Sequence, residues 1–258
     1  MNQSDLTFPR LEGTPPQKER PSPLSGVTWD FRDIIIGFFA ALIVFFLLGA
    51  IIIGGTAAAF DKDSLETSLA EAVTIALLDV VLVGTVLVVI SRKGAGLAAL
   101  GFRVPARGWL RMSGYVALAY LASVGLVNIY GIAIDVFGLE QLEPAQQLED
   151  SFYDHDSVVI LTGLAIVFMA PIAEEVFFRG FIYGGLRRYL NLPVAGLISG
   201  LLFSFAHGDP GLILPFAAIG LVLAYLYERT GSLLAPIVVH FAFNIISFLV
   251  LLLFPELR

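Results

Sequence analysis

Long apolar runs, separated by shorter polar segments, set the pattern of this chain. A membrane-spanning helix needs about 20 apolar residues, and most of the runs reach that length. The runs lack the alternation of polar and apolar positions that marks a membrane-spanning strand. The pattern therefore predicts an all-α, polytopic membrane helix bundle of about seven transmembrane helices, and counts of six to eight also fit it. The predicted spans are 34–53, 69–90, 112–137, 158–178 (or on to 189), 193–206, 212–227 and 232–254.

The composition also favours a membrane protein. Hydrophobic residues make up 57% of the 258 residues and charged residues only 14%, and the mean hydropathy is +0.86. About a quarter of the residues are charged in a soluble domain. The net charge of -7 and the lack of a basic run make nucleic acid an unexpected partner. Because the chain has no cysteine, disulfides and thiolate chemistry are excluded.

The polar segments predict the orientation of the bundle. Residues 1–30 are polar and proline-rich, which predicts a disordered tail, and residues 31–150 hold the first group of helices. Basic residues concentrate in cytoplasmic loops, so we expect a cytoplasmic amino terminus. The basic positions are Arg92, Lys93, Arg103, Arg107 and Arg111 after the second span, and Arg187 and Arg188 after the fourth. The loops between them are acidic, with Asp61, Asp63 and Glu66 after the first span and Glu140, Glu143, Glu149, Asp150, Asp154 and Asp156 after the third.

Three ionisable residues interrupt the fourth apolar run. They are Glu174, Glu175 and Arg179. Ionisable side chains at membrane depth are costly and are usually functional. Glu175 and Arg179 are four residues apart, in the favourable order for an ion pair on one helix face. Glu174 is rotated by about 100° from Glu175 and is therefore free to face another group.

Two histidines and an asparagine lie at or within later apolar runs. His240 and Asn244 are four residues apart and share a helix face, while His207 ends the fifth run. If helices four and five are antiparallel, Glu174 and His207 lie at nearly the same depth, about 22 Å from the turn that joins them. We therefore predict one shared functional site formed by Glu174, His207, His240 and Asn244.

Two chemistries fit this set. Glu174 and His207 could activate a water by general base catalysis, while His240 and Asn244 stabilise an oxyanion. Alternatively, Glu174, His207 and His240 could ligate Zn²⁺ and lower the pKa of its bound water. The first needs no cofactor. The residues alone do not distinguish general base catalysis from zinc-dependent catalysis.

Three short motifs carry a family resemblance. Glu174-Glu175-x-x-x-Arg179 (followed by Gly180), Phe203-x-x-x-His207 and His240-x-x-x-Asn244 occur in the order found in the CAAX protease and bacteriocin-processing family, also called the Abi family. The resemblance covers roughly residues 155–250. It implies an all-helical intramembrane endopeptidase whose catalytic helical core is residues 151–254, in the plasma membrane of a bacterium.

The resemblance also implies roles for individual residues. Glu174, His207, His240 and Asn244 become the catalytic set, supported by Glu175 and Arg179. The family has been described both as metalloproteases and as glutamate-dependent proteases. Its implied partners are membrane-embedded peptide or protein substrates, prenylated ones in some branches, and the lipid bilayer.

A different function class also fits the polar residues. A non-proteolytic transporter or a bacteriocin-immunity protein could use the same cluster, and Asp79 near the middle of the second span keeps that alternative open. We expect Asp79 instead to be satisfied by Asn128 or another buried polar group. A transporter would be expected to show inverted repeats, and none is visible.

Overall fold

The computed structural model describes residues 26–103, 108–145 and 150–254. The predictions made for residues 1–25, Arg107 and Glu149 lie outside these ranges. Within them, the chain forms helices and no strand, so the predicted all-α class is confirmed. We number the helices α1 (Phe31–Ala57), α2 (Leu65–Arg92), α3 (Trp109–Phe137), α4 (Asp156–Leu186), α5 (Leu192–Phe205), α6 (Ile213–Thr230) and α7 (Leu234–Leu253).

Six of the helices are long and apolar enough to cross a membrane, and α5 is the exception. It has 14 residues and is therefore about 21 Å long. It ends at Phe205, so His207 lies in the turn that follows and not within the helix. Asn191 caps the start of α5 by accepting the backbone N–H of Val194, and Pro193 occupies its first turn. The chain is thus a multi-pass membrane protein with one shortened helix.

The inter-helix segments gather at two opposite ends, as the alternation of charge predicts. At the end that we call the basic end, Lys93 contacts Asp33 at 2.6 Å, and the Leu233 N–H donates to the Gly101 carbonyl. The hydrogen bond from Lys93 to Asp33 raises the pKa of the lysine. At the acidic end, the Tyr130 hydroxyl donates to the Leu142 carbonyl at 2.8 Å. The cytoplasmic placement of the basic end stays a prediction.

Residues 26–30 are not a free tail, contrary to the prediction. The Trp29 side chain is fully buried, and its indole N–H donates to the Phe181 carbonyl at 2.9 Å. Arg188 donates to the Trp29 carbonyl at 2.6 Å. The ring fits closely against the backbone of Gly185, where an added Cβ would lie 2.8 Å from the indole nitrogen. The indole and the cap formed by Asp30 fix the start of α1.

Helix α4 runs through the centre of the bundle. All nine residues of Glu175–Tyr183 are buried. The aromatic rings in this stretch pack against α1, α2 and α5. Helices α5 and α6 cross closely beside it at two glycines, since a Cβ on Gly220 would lie 2.5 Å from the Gly200 Cα. This crossing brings Phe203, the last buried aromatic of α5, against Phe178 of α4. The two motif-bearing helices are therefore held together tightly.

Candidate active site

The buried ion pair predicted within α4 is present. Arg179 Nη1 lies 2.7 Å from Glu175 Oε1, and both side chains are fully buried. The guanidinium also lies over the Phe203 ring, with Cζ at 4.6 Å from the ring centre. Its Nε and Nη2 atoms have no hydrogen-bond partner in the structure. The ion pair therefore neutralises both buried charges, but it leaves two N–H donors of Arg179 without a hydrogen bond.

Glu175 has a second partner that the sequence did not predict. His240 Nδ1 lies 3.0 Å from the same Glu175 Oε1 that accepts from Arg179. Because a carboxylate paired with arginine is ionised and can only accept, Nδ1 carries the hydrogen. The other ring nitrogen, Nε2, lies 3.7 Å from Glu174 Oε2. Glu175 thus orients the imidazole, and Glu174 lies at its open side.

His207 is oriented in a similar way by a backbone group. Its Nδ1 lies 2.9 Å from the Phe203 carbonyl, which can only accept, so Nδ1 carries the hydrogen. In the neutral ring, Nε2 then holds a free lone pair. The ring packs edge-on against Phe203 and Phe216, at 4.9 and 4.6 Å between centres. The Phe203-x-x-x-His207 spacing therefore fixes both the position and the tautomer of His207.

Asn244 contacts an irregular part of α4. Its Nδ2 donates to the Ile166 carbonyl at 2.8 Å. Ile166 lies in a π-helical segment, Leu164–Met169, where the Ala170 N–H bonds to the carbonyl five residues earlier. The same spacing would pair the Ile166 carbonyl with residue 171, which is a proline and has no N–H. Asn244 therefore replaces the missing donor, and its second amide hydrogen is available to the site.

The predicted set surrounds one cavity of about 440 Å³. Glu174, His207, His240 and Asn244 all line it, together with apolar side chains of α2, α4, α5, α6 and α7. Its volume is within the range of small-molecule and peptide-segment pockets. On α7 the lining positions follow one helix face: Val239, His240, Phe243, Asn244, Ser247, Phe248 and Leu251. The predicted residues thus come together, while their catalytic roles stay predictions.

Asp79 also lines this cavity, which the sequence analysis did not expect. The residue is buried, with 3% of its surface exposed, and Oδ2 has no hydrogen-bond partner among the described residues. Asn128 is exposed and donates to the Val124 carbonyl of its own helix. The expected contact between Asp79 and Asn128 is therefore wrong. The sequence feature that could have placed Asp79 at the site is the lone carboxylate itself, in the middle of an apolar span.

The residues suggested for zinc have suitable donor atoms but are not assembled into a site. Both imidazoles direct Nε2 to the cavity while Nδ1 donates to an oxygen, which is the usual arrangement behind a metal ligand. Yet among the described residues no three His, Asp or Glu side chains lie close enough together to hold a metal ion. Glu174, His207 and His240 do not fit the ion in this arrangement, so we derive no step through it.

Comparison with known proteins agrees with the motifs. A family model described as type II CAAX prenyl endopeptidase Rce1-like matches residues 156–246. The chain is 30% identical over 151 residues to the putative membrane peptidase YdiL of Bacillus subtilis, covering 58% of this chain and 57% of that protein. It is 27% identical over 154 residues to the membrane-embedded CAAX protease MroQ of Staphylococcus aureus, covering 55% of this chain and 61% of MroQ.

These matches extend over part of each protein. The chain spans about three fifths or less of the length of the curated relatives it matches. No solved structure matches it. The matched region nevertheless contains all three motifs and six of the polar residues described above. The family resemblance is therefore confirmed: residues 156–246 of this multi-pass membrane protein are similar to the Rce1-like CAAX prenyl endopeptidase model.

Proposed function

We propose that the chain is an intramembrane endopeptidase that hydrolyses peptide bonds of membrane-associated peptides or proteins. The observation that supports this most directly is the pairing of Glu174 Oε2, which has no hydrogen-bond partner, with a free imidazole nitrogen of His240 across one cavity. The free nitrogen of His207 faces the same cavity. A carboxylate and two imidazoles around one space suit the activation and attack of a water.

Glu174 acts as the general base in the proposed reaction. A water held between Glu174 and His207 Nε2 loses a proton to the carboxylate as its oxygen attacks the peptide carbonyl. The proton then passes from Glu174 to the leaving nitrogen as the C–N bond breaks, so the base is regenerated. General acid–base steps of this kind contribute about 10²–10⁴ in rate.

His240 and Asn244 stabilise the negative oxygen of the intermediate. His240 can donate from Nε2 only as an imidazolium, because Nδ1 already carries the hydrogen given to Glu175. The Glu175 carboxylate stabilises that charged form. Asn244 contributes its second amide hydrogen, since the first is bound to Ile166. Donors fixed in a dry site are effective because they need no reorganisation during the reaction.

A zinc-dependent version of the same hydrolysis is the second proposal. It is favoured by the orientation of both imidazoles, each of which offers Nε2 to the cavity. In that case Glu174, His207 and His240 would have to come closer together than they are in this structure to hold the ion, which would lower the pKa of a water. Metal content of the purified protein, measured before and after a chelator together with activity, separates the two versions.

The substrate is proposed to be an apolar peptide segment that enters from the bilayer. The cavity walls are mostly aliphatic and aromatic, with polar groups confined to a few positions. Such a lining suits a substrate that already resides in the membrane, prenylated or not. We also propose that the protein resides in a bacterial plasma membrane, with its amino terminus in the cytoplasm.

The proteolytic activity is tested with the purified full chain in lipid nanodiscs and a library of membrane peptides. Wild type is compared with Glu174→Gln and His207→Ala. We expect Glu174→Gln to lower the cleavage rate by about 10²–10⁴, because the general base is lost. Thermal unfolding of each variant checks that the fold is intact. If the wild type produces no fragment that both variants fail to produce, the endopeptidase proposal is wrong.

A further inference from the structure

The charges around the cavity leave Asp79 without a counter-charge. Arg179 balances Glu175. Protonated His240, which oxyanion stabilisation requires, balances Glu174. Among the described residues that line the cavity there is no lysine or arginine to balance a fifth charge. Asp79 is therefore the one acidic group of the cavity whose negative charge has no partner there.

Asp79 lines the same cavity as the water-activating groups but belongs to a different helix. It projects from α2, whereas Glu174, His207 and His240 belong to α4, α5 and α7 and their connections. The other α2 residues that line the cavity, Ile75 and Leu78, are apolar. Ser123 of α3 also lines the cavity, but its hydroxyl donates to the Ala119 carbonyl. Asp79 thus faces the space that a bound peptide would fill and contacts none of the proposed catalytic groups by a hydrogen bond.

A buried carboxylate in an apolar wall has two ways of lowering its free energy. It can hold a proton, or it can pair with a cation. In the empty cavity a proton is the only neutralising partner at hand. When a cationic group enters, it can displace that proton to solvent and form a charge-assisted hydrogen bond with the carboxylate. No covalent bond to the substrate is made or broken at Asp79.

We propose that Asp79 is a specificity-determining residue that binds a positively charged side chain, lysine or arginine, of the peptide substrate. The assignment rests on the proposed endopeptidase function for the identity of the ligand as a peptide. An apolar peptide without a basic residue still fits the cavity but leaves Asp79 protonated and gains nothing from it. The protein would therefore prefer membrane peptides that carry a basic residue near the bond to be cleaved.

The test measures binding without turnover. The full chain with His207→Ala, which removes the proposed water-activating group, is placed in lipid nanodiscs. The probes are three acetylated and amidated leucine–alanine hexapeptides that differ only in one residue: lysine, norleucine or glutamate. Their affinities are obtained by competition against a fluorescent copy of the lysine peptide. Adding Asp79→Asn removes the carboxylate at nearly constant size, and adding Asp135→Asn removes the same charge from an exposed position of α3 as a matched control.

We expect the lysine peptide to bind at least about tenfold more tightly than the norleucine peptide, since close charge pairs at interfaces couple by that much or more. This preference should fall to within about twofold with Asp79→Asn and persist with Asp135→Asn. Glu174→Gln should retain it, because Glu174 is balanced by His240. If Asp79→Asn does not fold, Asp79→Ser and Asp79→Glu replace it, and only the latter should keep the preference.

Several outcomes would overturn the proposal. It is wrong if the His207→Ala protein shows no preference for the lysine peptide, or if that preference persists when Asp79→Asn is added. It is also wrong if adding Glu174→Gln alone abolishes the preference. A proton-relay role would shift the pH profile of cleavage with Asp79→Asn while the lysine preference is unchanged, and this too contradicts the proposal. Because binding is measured without cleavage, a lysine preference with no proteolysis would refute the endopeptidase function alone.

Discussion

Glu174 and Glu175 are adjacent in sequence but have different surroundings. Glu175 is fully buried and accepts from both Arg179 and His240, whereas Glu174 is partly accessible and faces the cavity. A carboxylate that accepts from two donors serves to hold them in place, and one with no hydrogen-bond donor is free to take a proton. Neighbouring acids can therefore be told apart by the effect of removing each. Loss of Glu174 should affect the rate alone, and loss of Glu175 should affect the fold as well as the rate.

We predict that Glu175→Gln destabilises the protein by about 3–5 kcal/mol, because it leaves the Arg179 charge buried and unpaired. The free energy of unfolding or the thermal midpoint in detergent measures this. Glu140→Gln, at an exposed position of the acidic end, is the matched control and should change little. The double variant Glu175→Gln/Arg179→Met should recover part of the loss. A Glu175→Gln protein as stable as the wild type would show that the ion pair is dispensable.

The residues of the site were largely predictable, and their contacts were not. Spacing alone identified Glu174, His207, His240 and Asn244, since polar groups in apolar helices are few. The contact between His240 and Glu175 depends on how α7 is rotated against α4, which no local pattern encodes. Asp79 was noticed, yet its partner was predicted wrongly, because a lone carboxylate does not indicate which side of its helix faces the core.

At the scale of the element, Pro171 follows the first of two π-helical stretches in α4, Leu164–Met169 and Glu175–Tyr183. The proline cannot donate to the carbonyl of Ile166, and Asn244 from α7 supplies that donor instead. An unsatisfied carbonyl in a dry interior is costly. The hydrogen bond therefore joins two motif-bearing helices at the wall of the cavity that Glu174 also lines. It gives Asn244 a structural role in addition to the proposed one in the oxyanion site.

We predict that Asn244→Ala lowers stability by about 1–3 kcal/mol, the cost of leaving a buried acceptor unsatisfied. Pro171→Ala restores a backbone N–H at the required position. In the Asn244→Ala background it should therefore recover much of that stability, measured by thermal unfolding, without recovering activity. Pro236→Ala, at a proline of α7, is a control that should not rescue. Equal and additive effects of the Asn244 and Pro171 substitutions would contradict the shared hydrogen bond.

The helices themselves were predictable because each contains a long apolar run. Their ends were less so. Span one was predicted from residue 34, whereas α1 begins at Phe31, since Asp30 caps it and Trp29 packs behind it. A single buried tryptophan in a proline-rich, polar stretch carries too weak a hydrophobic signal to mark the start of a folded segment. Its hydrogen bond to the Phe181 carbonyl is a tertiary contact, which the local sequence does not predict.

At the scale of the whole molecule, the two ends differ in charge. We predict that the basic end faces the cytoplasm. The absence of cysteine permits a direct test by single substitutions at exposed positions, Asp63→Cys at the acidic end and Ala98→Cys at the basic end. In intact cells, a membrane-impermeant maleimide should label the first and should reach the second only after the cells are opened.

The reverse labelling pattern would show that the bundle is inverted relative to the prediction. Labelling of both positions in intact cells would instead indicate leakage or mixed insertion. A Cys-free wild type treated in the same way is the control for background labelling. The result also decides from which compartment water reaches the turn that contains His207, since that turn lies nearer the acidic end.

The contacts of Trp29 have a consequence for the order of biosynthesis. Its two partners, Phe181 and Arg188, lie 152 and 159 residues later in the chain. At about 5–20 residues per second, the ribosome takes roughly 8–30 s to reach them. During that interval Trp29 lacks both of these partners, although Thr28 and Asp30 can already contact Lys93. Docking of the indole therefore waits for the emergence of α4, and it precedes the arrival of α5, α6 and α7, which complete the site.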